Sequence, residues 1–196
     1  MSEPGVTAPG EARPTEGRRV CVFCGAGAGH DPAFLEAARE LGRGVAGRGW
    51  GLVYGGATSG LMGALADAAL GAGGEVSGVI PASLVDRELA HQGLTRHSVV
   101  ATLAERKARM FAEAHAFVAL PGGFGTLDEL FSVLTLMQIG ELAGKTCVLL
   151  DLDGYYEGLL RFADHAVSSG LLLPRYRALL LRAASVDEAL ALLDPG

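Results

Sequence analysis

The sequence predicts a single α/β domain in which a parallel sheet is flanked by helices on both faces. Three observations carry that expectation. Short β-branched apolar runs alternate with longer amphipathic stretches, and the runs are apolar at odd and even positions alike, as strands covered on both faces must be. Several runs end in glycine turns, and in such sheets ligands bind at the carboxyl ends of the strands. With 196 residues and 49% hydrophobic content, the chain suffices for one buried core and is short for two.

Residues 1–18 mix Pro, Gly, Glu and Ala with no apolar run, so they read as a disordered tail ahead of a domain spanning 19–196. The tail lacks the apolar segment of a secretory signal, which makes the cytoplasm the expected compartment. A first strand is expected at 19–24 and a helix at 32–47. A second strand at 51–54 precedes a helix at 59–71, and a third strand lies at 76–80. Periodicity is weak between 81 and 102, where a short helix, a loop and a strand at 97–101 are expected. A helix at 103–114 carries an apolar stripe of Leu103, Met110 and Phe111. The strand at 116–120 leads to a helix at 125–138, the strand at 146–150 to a helix at 155–168. A late strand at 179–181 and a helix at 186–193, capped by Ser185 or Asp187, complete the chain.

The formal charge of −6 argues against a general nucleic-acid binder, because phosphate-backbone affinity needs a clustered basic face. No run approaches the roughly 18 apolar residues of a membrane helix, so no membrane partner is expected. Cys21, Cys24 and Cys147 make no paired framework. Cys21 and Cys24 have CxxC spacing but occupy one strand, where they face opposite ways and read as buried thiols rather than ligands. His30, His91, His97, His115 and His165 lack metal-binding spacing, so no metal is assigned. Lys107 and Lys145 are the two lysines, which leaves a Schiff-base enzyme only these candidates.

The most informative stretch runs from Leu120 to Glu129, where an apolar strand ends in Pro121-Gly122-Gly123-Phe124-Gly125 and a helix opens with Thr126, Leu127, Asp128 and Glu129. Free N–H groups at a helix N-terminus, backed by its dipole, attract anions without a lysine, and glycines let the anion approach the backbone. Thr126 and Glu129 also fit a capping box, in which both side chains would be consumed by orphan N–H groups. The glycines ahead exceed what capping requires. Both residues then share one helix face, with Asp128 rotated away. Gly25-Ala26-Gly27-Ala28-Gly29 follows the first strand but has His30 where a dinucleotide fingerprint needs Gly or Ala. It reads either as a structural turn or as one where backbone approaches a smaller nucleotide. With the turns at 55–63 and 122–125 it would line one crevice. Gly144-Lys145-Thr146 precedes a strand instead of following one, which rules out a P-loop. Arg106 and Lys107 are either a solvated pair or a substrate contact in which a planar guanidinium orients a carboxylate. Tyr155 and Tyr156 read as packing a helix start.

Beyond these readings the chain resembles the LOG ("lonely guy") family, cytokinin riboside 5′-monophosphate phosphoribohydrolases often mislabelled lysine decarboxylases. The resemblance runs from Val20 to about Leu193. It rests on VFCG at 22–25, LVYGGATSGLMG at 52–63, GVIP at 78–81, RKARM at 106–110, PGGFGTLDE at 121–129 and DGYYEGLL at 153–160. It implies a Rossmann-like fold and hydrolysis of the N-glycosidic bond of a nucleoside 5′-monophosphate to free base and ribose 5-phosphate, with no cofactor and assembly as a homodimer. Arg106 and Glu129 match the family's catalytic pair. Gly25, Glu88, Lys107, Gly122, Gly123, Phe124, Gly125, Thr126, Leu127, Asp128 and Thr135 match binding positions. With such a substrate, the phosphate is expected to dock on the N–H groups of Gly123 through Thr126, which sets C1′ beside Glu129. Ala26 and Gly27 replace the family's usual serines, Leu103 and Leu136 a methionine and a tryptophan, and Asp128 a glutamate; these departures bear on base preference. The alternatives are a nucleosidase for AMP or another nucleotide without a cytokinin role, a non-catalytic nucleotide or cofactor carrier on the same fold, and a pyridoxal phosphate decarboxylase.

Overall fold

In a computed structural model that describes residues 17–88 and 90–194, seven parallel strands form one sheet in the order β4-β3-β2-β1-β5-β6-β7. The expected tail falls almost wholly outside those residues. The strands are β1 (Arg19–Phe23), β2 (Gly51–Tyr54), β3 (Val76–Pro81), β4 (Arg96–Val100), β5 (Ala116–Ala119), β6 (Thr146–Leu150) and β7 (Leu180–Ala183). The helices are α1 (Pro32–Gly47), α2 (Gly60–Gly71), α3 (Ala82–Glu88), α4 (Leu103–Glu113), α5 (Phe124–Gln138), α6 (Glu157–Ser168), α7 (Pro174–Arg177) and α8 (Val186–Leu193).

Alternate residues of each central strand enter different cores. Val20, Val22, Val118 and Val148 meet α1, α2 and α8, whereas Cys21, Phe23, Phe117 and Leu149 meet α4, α5 and α6. Both layers are therefore needed to keep a two-faced apolar strand from water. Cys21 and Cys24 fall in different cores, and all three thiols are buried and free. The helices α1 and α2 approach closely because α1 offers no side chain at Gly42, where a Cβ would lie 2.3 Å from Leu65 O.

β4 is an edge strand, alternately half-buried and exposed, with Val99 55% exposed. An edge strand needs no apolar residue on its outer face, which accounts for the weak periodicity there. The helix expected from 155 starts two residues later. A 3₁₀ turn at Leu152–Gly154 precedes it, with Asp153 in the left-handed region at φ 47°. The single turn α7, begun by Pro174, was not expected from the sequence. Ser185 caps α8 by accepting from Glu188 N–H at 3.2 Å.

The chain builds outward from β1 through β2, β3 and β4, then crosses to β5 on the other side of β1. Loops after β1 and β5 thus diverge to opposite faces and leave a crevice between them, the place where open α/β sheets bind ligands.

Candidate active site

At that crevice Gly25 N–H donates to Pro121 O at 3.1 Å, which ties the β1 turn to the β5 turn. Beside them opens a cavity of about 310 Å³. Cys24, Gly25 and Ala26 line it after β1, Met62 from α2, Leu103, Arg106 and Lys107 from α4, and Gly123, Gly125, Thr126, Asp128 and Glu129 from the start of α5. The first and third of the expected glycine turns meet here. The second contributes from beneath, as described below.

The helix α5 begins at Phe124 with Gly123 as N-cap, and its first internal bond runs from Leu127 N–H to Gly123 O at 3.0 Å. The amides of Phe124, Gly125 and Thr126 precede that bond and have no acceptor inside the helix. Thr126 lies one turn inside rather than at the cap, so the capping box that the sequence offers is not formed. Thr126 and Glu129 instead turn inward, 3% and 8% exposed, on the face that lines the cavity. A comparable box exists elsewhere: Thr102 caps α4 by accepting from Glu105 N–H at 3.1 Å, while Glu105 Oε2 accepts from Ala101 N–H at 3.0 Å.

Arg106 is buried, 8% exposed, on the apolar side of α4. Its Nε donates to Val79 O at 3.1 Å and its Nη2 lies 3.8 Å from Glu129 Oε1. The contact to Glu129 is a single long one, in place of the bidentate pairing that the sequence suggests. Gly55, at the end of β2, makes the seat: a Cβ there would stand 1.8 Å from Arg106 Nη2. Gly122 is required for a similar reason, since a Cβ would meet Thr126 Oγ1 at 2.1 Å.

Burial pushes the Glu129 carboxyl up to about 7, with the Asp128 charge adding to the rise and the Arg106 and Lys107 charges opposing it. Around neutrality Glu129 exists in both protonation states, the range useful to an acid or base. Asp128, expected from its spacing to be rotated away, also borders the cavity, and it accepts from Lys107 Nζ at 2.8 and 2.9 Å; Lys107 also donates to Ser132 Oγ at 3.0 Å.

Gly25, Lys107, Gly123, Gly125, Thr126 and Asp128 thus gather around Arg106 and Glu129, with Gly122 directly behind. The side chains of other expected binding residues are not brought there, although the Phe124 amide is one of the open N–H groups at the start of α5. Phe124 stands 92% exposed at the helix start, and Leu127 packs against the core beneath α4 and α5. Thr135 lies farther along α5, its hydroxyl spent on Phe131 O at 2.7 Å, in an open groove between α4 and α5. Glu88 ends α3, and its side chain lies outside the described residues. The turn at 55–63, which holds Gly55 and Met62, is expected in the crevice from the sequence, but spacing gives no sign that Gly55 seats Arg106 or that the Val79 carbonyl anchors it, because β2 and β3 meet α4 only in the folded chain.

Residues 62–193 match the family model described as "Possible lysine decarboxylase". The cytokinin riboside 5′-monophosphate phosphoribohydrolase of Rhodococcoides fascians is 44% identical over 189 residues, 96% of this chain and 94% of that protein. The cytokinin riboside 5′-monophosphate phosphoribohydrolase LOG7 of Arabidopsis thaliana is 42% identical over 177 residues, 90% of this chain and 81% of that protein. Among solved structures, the molybdenum cofactor carrier protein of Chlamydomonas reinhardtii superposes with a TM-score of 0.69 at 26% identity, covering 90% of this chain and 95% of that one.

Proposed function

The chain belongs to the LOG family of cytokinin riboside 5′-monophosphate phosphoribohydrolases, and from that membership we propose how its cavity hydrolyses the N-glycosidic bond of a nucleoside 5′-monophosphate. Water adds its oxygen to C1′ and a proton to the departing nitrogen, giving the free base and ribose 5-phosphate. One observation carries the reading: a buried Arg106–Glu129 pair faces the open amides at the start of α5 across a single cavity.

The phosphate docks on the amides of Gly123 through Thr126, where the helix dipole and the unspent N–H groups stabilise a dianion despite the chain's negative charge. C1′ then lies beside Glu129, whose carboxylate stabilises the cationic sugar as the bond to the base breaks and takes a proton from the attacking water. Arg106, fixed by Val79 O and seated on Gly55, holds Glu129 and the ribose. Met62 and Leu103 supply the cavity's apolar wall for the base. The test is to incubate the protein with AMP and with isopentenyl-adenosine monophosphate and to follow free base by chromatography. Release from either supports hydrolysis, and their relative turnover separates a cytokinin enzyme from a general AMP nucleosidase. No release from a folded sample refutes the reading.

The likeness to a cofactor carrier favours a second reading, in which the same cavity binds a nucleotide-like ligand without turnover. Binding of AMP with no base released would select it. A decarboxylase would need a free lysine amine. Lys107 Nζ is held by Asp128 and Ser132, and Lys145 Nζ by the carbonyls of Phe111 and Ala114.

A cytoplasmic homodimer completes the proposal. No helix among the described residues is long and apolar enough to cross a membrane. The groove between α4 and α5 encloses about 850 Å³, is lined by Phe111, Phe131, Leu136 and Leu142, and shares Lys107 and Asp128 with the cavity. A second copy seated there would border the active site and bring Thr135 into an interface.

A further inference from the structure

The anion-binding turn depends on one peptide plane. Gly122 O and Gly123 N–H belong to the same planar unit and point in opposite directions. Gly123 lines the cavity, while Gly122 O accepts from Tyr155 Oη at 2.8 Å on the far side; Tyr155 is not among the lining residues. A peptide between two glycines has no Cβ on either flank to resist rotation. Turned over, it would withdraw the Gly123 amide and aim the Gly122 carbonyl at the phosphate. The chain cannot stiffen the turn with a larger residue at 122, because Thr126 Oγ1 and Gly25 N lie within 3.0 Å of where its Cβ would stand. The restraint has to come from another element.

The loop after β6 supplies it. Asp151, 2% exposed, accepts from Tyr156 N–H at 2.7 Å through one oxygen and from Arg182 Nε at 2.7 Å through the other. Tyr156 Oη donates to Leu120 O at 2.7 Å, two residues before the peptide in question. The rings of Tyr155 and Tyr156 meet edge to face at 4.8 Å, and Phe34 of α1 packs edge-on against Tyr155 at 5.5 Å. The left-handed Asp153 makes the tight reversal that brings both tyrosines to this side. Tyr155 is therefore held by its neighbours, and its hydroxyl is spent on the one carbonyl whose orientation decides the sign of the phosphate site.

We propose that Tyr155 is a positioning residue whose hydroxyl locks the Gly122–Gly123 peptide in the setting that presents an amide to the substrate's phosphate. This rests on the phosphate reading above. Tyr155→Phe keeps the ring and its packing and deletes only the lock. Its effect should track the phosphate: inhibition by ribose 5-phosphate weakens about tenfold, as for loss of one oriented hydrogen bond, and KM for AMP rises in parallel. Inhibition by adenosine, which has no phosphate, should stay within about twofold, and the thermal midpoint should fall by no more than loss of one partly exposed hydrogen bond entails. Two outcomes overturn the lock alone: parent protein that responds to ribose 5-phosphate with a variant that responds equally, or a variant weakened as much toward adenosine as toward the phosphate compound. Parent protein that binds neither ribose 5-phosphate nor AMP overturns the phosphate reading, and the lock with it.

Discussion

Glu129 has to be charged to stabilise a cationic sugar, yet its surroundings favour the neutral acid, with a midpoint near 7 against an ordinary 4.5. Activity as kcat/KM should therefore rise with pH through about 7, and Glu129→Gln should lose about 10²- to 10⁴-fold in rate together with that limb. Stability should move the other way. Because the folded state holds the proton more tightly, the stabilisation is complete below about 4.5 and is lost as pH climbs through 7, up to about 3 kcal/mol in all. The Gln variant should show a flatter stability profile by denaturant titration between pH 5 and 8. A parent profile that rises over that window would remove the burial argument.

At the scale of elements, the site is a matter of how strand ends meet helix starts. α4 carries Arg106 inward only because β2 is followed by a residue without a side chain, so Gly55→Ala should push the guanidinium off Val79 O and away from Glu129. The atom displaced is the far end of a flexible side chain, which keeps the cost to folding small. Misplacement of a catalytic group by an ångström can cost about 10²-fold, so kcat/KM should fall by that order while the thermal midpoint drops only slightly. Full activity in the alanine variant would show that the seat is dispensable. The contrast between two threonines on helical starts belongs to the same scale. Thr102 and Glu105 cap α4, whereas Thr126 and Glu129, at the same spacing, face a cavity because the glycines ahead of them move the cap back to Gly123.

At the scale of the whole molecule, the groove between α4 and α5 is an apolar surface open to a second copy. Phe131 is 43% exposed there, beside Leu136 and Leu142. If the proposed second copy seats on this apolar patch, a dimer should appear in sedimentation at micromolar concentration. Phe131→Asp should shift it toward monomer and lower activity, since Lys107 and Asp128 belong to both groove and cavity. A parent chain that sediments as a monomer would dismiss the dimer.

Strand and helix positions were legible because two-faced apolar runs and amphipathic stretches have unlike periods; α1, β2, β6 and α8 begin and end where periodicity places them. Where burial is one-sided, as at β4, or a single proline starts one turn, as at α7, the pattern fades. The motif residues Arg106, Thr126 and Glu129 could likewise be named from the chain. What the chain alone left undecided was their surroundings: whether Thr126 and Glu129 cap a helix or line a cavity, which carbonyl anchors Arg106, and which hydroxyl holds Gly122. Those choices depend on the switch of strand order between β1 and β5, which joins turns separated by about a hundred residues and lets Arg106, Thr126 and Glu129 be buried beside them. Local sequence dictates hydrogen bonding within a turn or two, while desolvation and through-space charge exist only once distant segments have met.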